Sequence, residues 1–484
     1  MRILLSLASL LTVLTPAEPA PVDRLDEHVR GRMATAHVPG VAYAVVSARE
    51  VVHTGTFGTD GDGNPVSATT PFLWGSVSKP VTATLTMQLV ESGELRLDAP
   101  VVSYLPAFRL KEPGAERITV RQLLNQTSGI PASLELTDQF DAGRRPIDTI
   151  PAFTEVSAAG VPGAEHRYSS LNYLVLAAVI EQVTGKPFTD VLRTRLLEPL
   201  GAKDAITAPN DRLPPGHRYV FGQPVGMESP YDPAGVSYGH LGGTLRDGIA
   251  FAQAQLGGAP KVLGPELLSA THRGEVATGE GLQYGLGWRR WPLKDFGVDS
   301  DQPVIWHGGA VAGYQAAIML LPSQDRAVVV LQNAYGTFQE SQLLDTAFGL
   351  TALLAGGEPK TSEAGIGYPA VLAGMTALLL LLVVLVALGI KQAVRRRGRA
   401  HLGLTLVILG GLAYLFAVHL PHSQGLERDQ VVLWAPDLAW LINGTLAAIV
   451  ALAVTRMVVA VRQRQAGAGA PGHRSTRRPG RASS

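Results

Sequence analysis

Apolar positions divide this chain into a long N-terminal part with short, mixed periodicities and a C-terminal part made of long uncharged runs. VAYAVVSAREVVHTGTFG, from Val41 to Gly58, reads as two strands around a polar turn, with Val41, Tyr43, Val45 and Val51 among its apolar positions. GSVSKPVTATLTMQLVESGEL reads as a helix that starts near Ser76, and a strongly apolar helix is expected from Leu171 to Val183. Late in the chain, PVIWHGGAVAGYQAAIMLLPSQDRAVVVLQN gives two or three more strands, with Pro322-Ser323-Gln324-Asp325 as a turn, and LLDTAFGLTALLAG closes with a helix. Strands at both ends with helices between them predict an α/β domain over residues 21–355. Its antiparallel sheet is built from both termini, with a mostly helical insert from about Pro100 to Ala250. There is no internal repeat, and no G-x-G-x-x-G falls between a strand and a helix.

The long runs need a different solvent. No charged residue occurs between Glu363 and Lys391, and a stretch of roughly 20 apolar residues crosses a hydrocarbon core. Transmembrane helices are predicted at 365–390, 402–420 and 433–455. The loop after the first carries Lys391, Arg395, Arg396, Arg397 and Arg399; the loop LERDQ before the third is nearly neutral; Arg456, Arg462 and Arg464 follow. This bias puts the basic loop and a disordered basic tail, 462–484, in the cytoplasm, and everything before the first span outside. The N-terminus agrees independently. Arg2, an apolar run from Ile3 to Leu14, and small residues near Ala17 and Ala20 form a signal peptide over residues 1–20. Asp437 falls inside the third span, where Trp434 and Trp440 suggest a hydrated place near the outer interface.

Composition removes several chemistries. With no cysteine, thiolate catalysis, Cys-ligated zinc and disulfides are excluded, and no His/Asp/Glu cluster has metal-ligand spacing. A net charge of +1 provides no field for nucleic acid. Lysine is scarce, 8 against 33 arginines, which draws attention to Lys79.

Ser76 and Lys79 are three apart, so on a helix they share a face. A serine hydroxyl becomes a nucleophile when a neighbour takes its proton, and a lysine does so when burial or nearby positive charge lowers its pKa. The helix N-terminus adds free N–H groups near a developing oxyanion. Tyr168, at a loop leading into an apolar helix, can point its phenol into a cleft. His307-Gly308-Gly309 lies at a strand edge, where paired glycines admit the close approach of a substrate backbone.

Taken in order, these segments resemble the serine beta-lactamase and penicillin-binding-protein superfamily. The likeness is greatest to the class C-like branch, which also holds D-alanyl-D-alanine carboxypeptidases and beta-lactamase-fold esterases. Ser76-Val77-Ser78-Lys79 matches the nucleophile motif, and Tyr168-Ser169-Ser170 matches Tyr-x-Asn with serine for asparagine. His307-Gly308-Gly309 matches the Lys-Thr-Gly position. LLNQTSGIP at Leu123–Pro131, EPLG at Glu198–Gly201, GGTLRD at Gly242–Asp247 and YGLGW at Tyr284–Trp288 extend the likeness over about residues 25–350.

The resemblance implies a beta-lactamase/transpeptidase-like fold that needs no cofactor or metal. Ser76 forms an acyl-enzyme, Lys79 and Tyr168 share the base role, and the N–H groups of Ser76 and Ala310 form the oxyanion hole. Ser170, His307, Gly308 and Gly309 contact substrate. Two departures follow from the residues themselves. Ser170 has a shorter reach than asparagine, and His307, with an ordinary pKa of about 6.5, offers a pH-dependent clamp for a carboxylate. Both favour an esterase or a specialised peptidase, acting on a small-molecule or peptide substrate such as a cell-wall peptide. A receptor that binds beta-lactams or muropeptides and signals through the spans is the alternative from a different class.

Overall fold

The computed structural model describes residues 22–132, 136–210, 212–362, 367–395, 402–419 and 428–468. The expected signal peptide and the end of the basic tail lie outside these. The chain divides into two compact units, one ending at Ala364 and the other beginning at Gly365.

In the first unit, helix α1 (Val22–Ala36) precedes strands β1 (Gly40–Val46), β2 (Val51–Gly58) and β3 (Phe72–Leu73), then helix α2 (Ser78–Glu91). The insert follows, with α3 (Val120–Leu124), α4 (Ser170–Thr184), α5 (Phe188–Leu192) and α6 (Glu198–Leu200). Strands β4 (Gly216–Val220), β5 (Gln223–Met227) and β6 (Gly242–Gly243) lead to α7 (Leu245–Gln255) and α8 (Pro265–His272). The chain then forms β7 (Val276–Gly279), β8 (Leu282–Tyr284), β9 (Arg289–Pro292), β10 (Pro303–Val311), β11 (Tyr314–Leu321), β12 (Arg326–Gln332), β13 (Ala334–Tyr335) and α9 (Glu340–Leu354).

The main sheet has eight strands in the order β2-β1-β12-β11-β10-β9-β8-β7, with every pairing antiparallel. Both chain ends therefore build it, and β1 pairs with β12 from Val41↔Gln332 to Val46↔Ala327. Each residue of β1 and β11 is buried because helices cover both faces, with α1 and α9 on one side and α7 on the other. That explains the continuous Val/Ala/Tyr run of β1, where a one-sided sheet would have imposed alternation. Edge strand β2 is mostly exposed and reads as more polar. Two features exceed the expected pattern. Strands β7, β8 and β9 extend the sheet, and the insert carries a β4–β5 hairpin that joins β13 in a three-stranded sheet. These strands are three to five residues long and rich in Gly, Gln and Arg, so they lack a legible period.

The second unit holds three helices long and apolar enough to cross a membrane, over Gly367–Val394, Leu402–His419 and Pro436–Gln465. The third continues to Ala468, so the first residues of the expected tail are helical. Leu382, Leu409, Ile449 and Leu452 form one core of the bundle, and Leu372, Met375, Phe416 and Leu441 another. Leu380, Leu381, Val383 and Val384 face outward, as lipid-facing positions do. Asp437 departs from the hydrated placement: it is fully buried and accepts a short hydrogen bond from the Tyr368 phenol. At the other end, Arg456 Nη1 donates to Gln392 Oε1 at 3.3 Å and Arg462 Nη1 to the Ala393 carbonyl at 2.8 Å.

Candidate active site

Ser76 lies in a single 3₁₀ turn, Gly75–Val77, that connects β3 to α2. Ser78 tightens this turn by donating its hydroxyl to the Gly75 carbonyl at 2.6 Å. Pro80 sits in the first turn of α2, where an N–H has no helical acceptor. The turn is pressed against β10. A Cβ added to Gly309 would lie 1.9 Å from the Trp74 carbonyl oxygen and 2.8 Å from the amide nitrogens of Ser76 and Val77. Gly75, at φ +54°, would meet the Ala310 nitrogen at 2.3 Å. The close approach expected of a substrate backbone at the paired glycines is made at Gly309, by the protein's own Gly75–Val77 turn. It sets the amide nitrogens of residues 76 and 310 on touching segments. Gly308, one residue along the strand, faces the opposite way, toward Leu344.

Lys79 is fully buried, and its three ammonium donors have three acceptors. These are Ser76 Oγ at 3.0 Å, Ser170 Oγ at 3.2 Å and the Tyr238 carbonyl at 2.8 Å. The ammonium also lies 4.9 Å from the centroid of the Tyr168 ring. Burial pushes the Lys79 pKa below its ordinary 10.5, and the Arg289 cation pushes the same way, while Tyr168 and Asp138 oppose. The lysine is therefore poised to give up a proton more readily than one in water.

Tyr168 and Ser170 arrive on the segment that enters α4. Ser169 caps that helix by accepting from the Leu171 amide at 3.2 Å and donates to the Pro131 carbonyl at 2.7 Å, which fixes the residues on either side. Asn172 does not replace the missing asparagine. Its side chain is buried against Gln126 and Ser128, at 2.5 Å from each. Of Ser170 and Asn172, only Ser170 reaches the lysine.

The structure gives His307 a different position from the expected clamp. It is 1% exposed, and burial, with help from the Arg289 and Lys79 cations, holds its pKa well below 6.5. Nδ1 bonds the Gly308 carbonyl at 2.7 Å, and Nε2 lies 3.1 Å from the Tyr284 hydroxyl. Both ring nitrogens are in use, and the ring packs 6.2 Å from Tyr168.

Arg289 brings a partly buried charge to the same place. Its guanidinium lies 5.4 Å from the ring centroids of both Tyr168 and Trp306, and among the described residues no carboxylate pairs with it. Sequence reasoning missed this residue, although it directly follows YGLGW, because one arginine among 33 carries no signal. Tyr238 was missed for another reason: its contribution is a backbone carbonyl, which any residue type supplies. Its phenol donates to Asp232 at 3.0 Å, and the neighbouring His240 lies 2.8 Å from Asp138, so the acceptor for Lys79 is firmly held. No cluster of His, Asp or Glu among the described residues is placed to hold a metal ion.

A two-ended antiparallel sheet, a helical insert, and a serine, lysine and tyrosine where the two meet are the architecture of the beta-lactamase and penicillin-binding-protein serine hydrolases. The beta-lactamase family model matches residues 25–352, and the chain belongs to that family. Penicillin-binding protein 4 of Amycolatopsis lactamdurans is 32% identical over 327 residues, covering 61% of this chain and 81% of that protein. Protein flp of Staphylococcus aureus is 26% identical over 333 residues, and the chain spans 64% of its length. Among solved structures, the octameric penicillin-binding protein homologue from Pyrococcus abyssi superposes with a TM-score of 0.61 at 25% identity, covering 70% of this chain and 78% of that one.

Proposed function

We propose that the protein is a membrane-anchored serine acyl hydrolase of the class C-like branch, acting on peptides that end in a free carboxylate, such as cell-wall peptides. The observation that carries the reading is Lys79: buried, with a lowered pKa, and bonded to Ser76 Oγ at 3.0 Å. Ser76 Oγ attacks the scissile carbonyl as its proton passes to the Lys79–Tyr168 pair. The same pair returns a proton to the leaving group, and water then cleaves the Ser76 ester. The amides of Ser76 and Ala310 receive the oxyanion. Ser170 holds Lys79 and lines the substrate side, and Gly309 admits the turn to the strand.

Arg289 supports the preference for a carboxylate. A guanidinium without an acidic partner, stacked over the tyrosine of the site, suits an anionic end group by a bidentate bond. His307, neutral and internally bonded, packs behind Tyr168. The membrane unit would place the catalytic domain on the extracytoplasmic side, with residues 391–401 and the tail inside, as the charge bias requires.

The test is covalent labelling of membranes containing the full chain with a fluorescent penicillin and a fluorophosphonate, comparing wild type with Ser76→Ala. Labelling that depends on Ser76, with the adduct located there by mass spectrometry, supports the reading. Labelling that survives the substitution removes Ser76 from its role. A folded wild type that neither probe labels favours the receptor.

A further inference from the structure

We infer that Tyr284 is a positioning residue that locks His307 in its Nδ1–H tautomer, so that His307 serves as a fixed wall behind Tyr168 and makes no contact with substrate. This rests on the serine-hydrolase reading above and deepens it, since it leaves recognition of the carboxylate to Arg289.

The tautomer follows from donors and acceptors. A carbonyl oxygen only accepts, so the 2.7 Å contact between His307 Nδ1 and the Gly308 oxygen requires the proton on Nδ1. A neutral imidazole then presents a lone pair at Nε2, and the Tyr284 hydroxyl at 3.1 Å must donate to it. The phenol is itself constrained. Tyr284 is fully buried, and the Gln126 carboxamide and Tyr173 phenol face its oxygen. Tyr173 already donates to the Leu124 carbonyl at 2.9 Å, and the lone pair at His307 Nε2 draws the Tyr284 proton toward the histidine.

Every charged neighbour favours the same state. Arg289 and Lys79 both act against a charged imidazole, and burial acts more strongly than either. Across the strand pair, His307 lies opposite Ile318, which offers no counter-charge. A protonated His307 would compete with Arg289 for an anionic substrate and would sit 6.2 Å from the Tyr168 ring. In the locked neutral state, changes of pH reach the site through Lys79. The Tyr284 ring also meets Tyr168 edge-on at 6.2 Å, so one side chain fixes both the histidine and one wall of the tyrosine.

The experiment uses the full chain, labelled with ¹⁵N-histidine and held in lipid nanodiscs, with His307 assigned from the spectrum of His307→Gln. The expected result is a pyrrole-like Nδ1 and a pyridine-like Nε2 that do not titrate between about pH 5 and 8. Tyr284→Phe should move the Nε2 resonance. It should also slow acylation of Ser76 by a fluorescent penicillin about tenfold at saturation, with half-saturation unchanged, as loss of one buried hydrogen bond predicts. A proton on Nε2, a His307 that titrates in that range, or a Tyr284→Phe protein with unaltered resonances and rate would overturn the inference. The wild-type spectrum decides the tautomer without any variant of Tyr284. A wild type that is never acylated would instead count against the hydrolase reading, while its spectrum still tests the lock.

Discussion

Lys79 Nζ lies 2.8 Å from the Tyr238 carbonyl and 3.0 Å from Ser76 Oγ, so its shorter bond is to an atom that can never take or supply a proton. That bond can hold the amine in place whichever way a proton moves between lysine and serine. Only the bonds to the two hydroxyls can reverse direction.

Acylation should therefore follow the ionisation of Lys79. The rate is expected to rise with pH and reach its plateau below 10.5, the ordinary lysine value, because burial lowers the folded-state pKa. Stopped-flow labelling across pH would check this, and a rate still climbing past 10.5 would remove lysine as the base. The stability effect has a definite sign. Between the lowered value and 10.5 the unfolded chain binds one more proton, so stability contributed by this residue rises with pH across that window. Lys79→Ala should slow acylation by at least about a hundredfold, the lower end of a general-base contribution.

Arg289→Gln should raise KM for peptides with a free C-terminal carboxylate about ten- to a hundredfold, the value of a lost charge-assisted bond. Hydrolysis of a neutral ester should change little. Paired kinetics on an acid and its methyl ester would check it, and equal losses on both would point to a structural role.

The two strand glycines should differ sharply. Gly309→Ala drives a methyl group into the Trp74 carbonyl, so it should abolish labelling of Ser76 and cost about 1–3 kcal/mol of stability. Gly308→Ala meets only side chains, the end of Leu344 at 3.1 Å and the Trp306 ring at 3.4 Å, and should keep most activity. Thermal unfolding and penicillin labelling of the two variants test the contrast.

In the membrane unit, Tyr368→Phe removes the phenol that donates to buried Asp437. A destabilisation of about 1–3 kcal/mol is expected, and replacing the acid as well, with Tyr368→Phe and Asp437→Leu together, should recover much of it. Detergent titration of unfolding would measure both.

The parts of this fold that repeat a period were legible in the sequence. Val41 to Val46 and Arg326 to Gln332 announce strands through dense β-branched residues, and the long spans announce themselves by length. Strands β7 to β9 did not, because three or four residues do not establish an alternation. The grouping of Ser76, Lys79 and Tyr168 was legible from their motifs, and the fold brings the three side chains together. The site was illegible where long-range packing decides the outcome. His307 reads in sequence as a titrating clamp, and only the fold shows that it is buried with both ring nitrogens bonded. Asn172 sits close to Ser170 in sequence, yet the turn of α4 directs it to Gln126. Arg289 becomes informative only when β9 carries it to Tyr168.

The contact between the Gly75–Val77 turn and β10 joins residues made early in synthesis to residues made near the domain's end. A growing chain that has passed α2 already contains the serine and the lysine, but it has no Ala310 amide and no strand to hold the turn. If the amides of Ser76 and Ala310 receive an oxyanion as proposed, such a chain lacks half of that pair until β10 docks. On that reading, completion of the sheet would assemble the site in a single step.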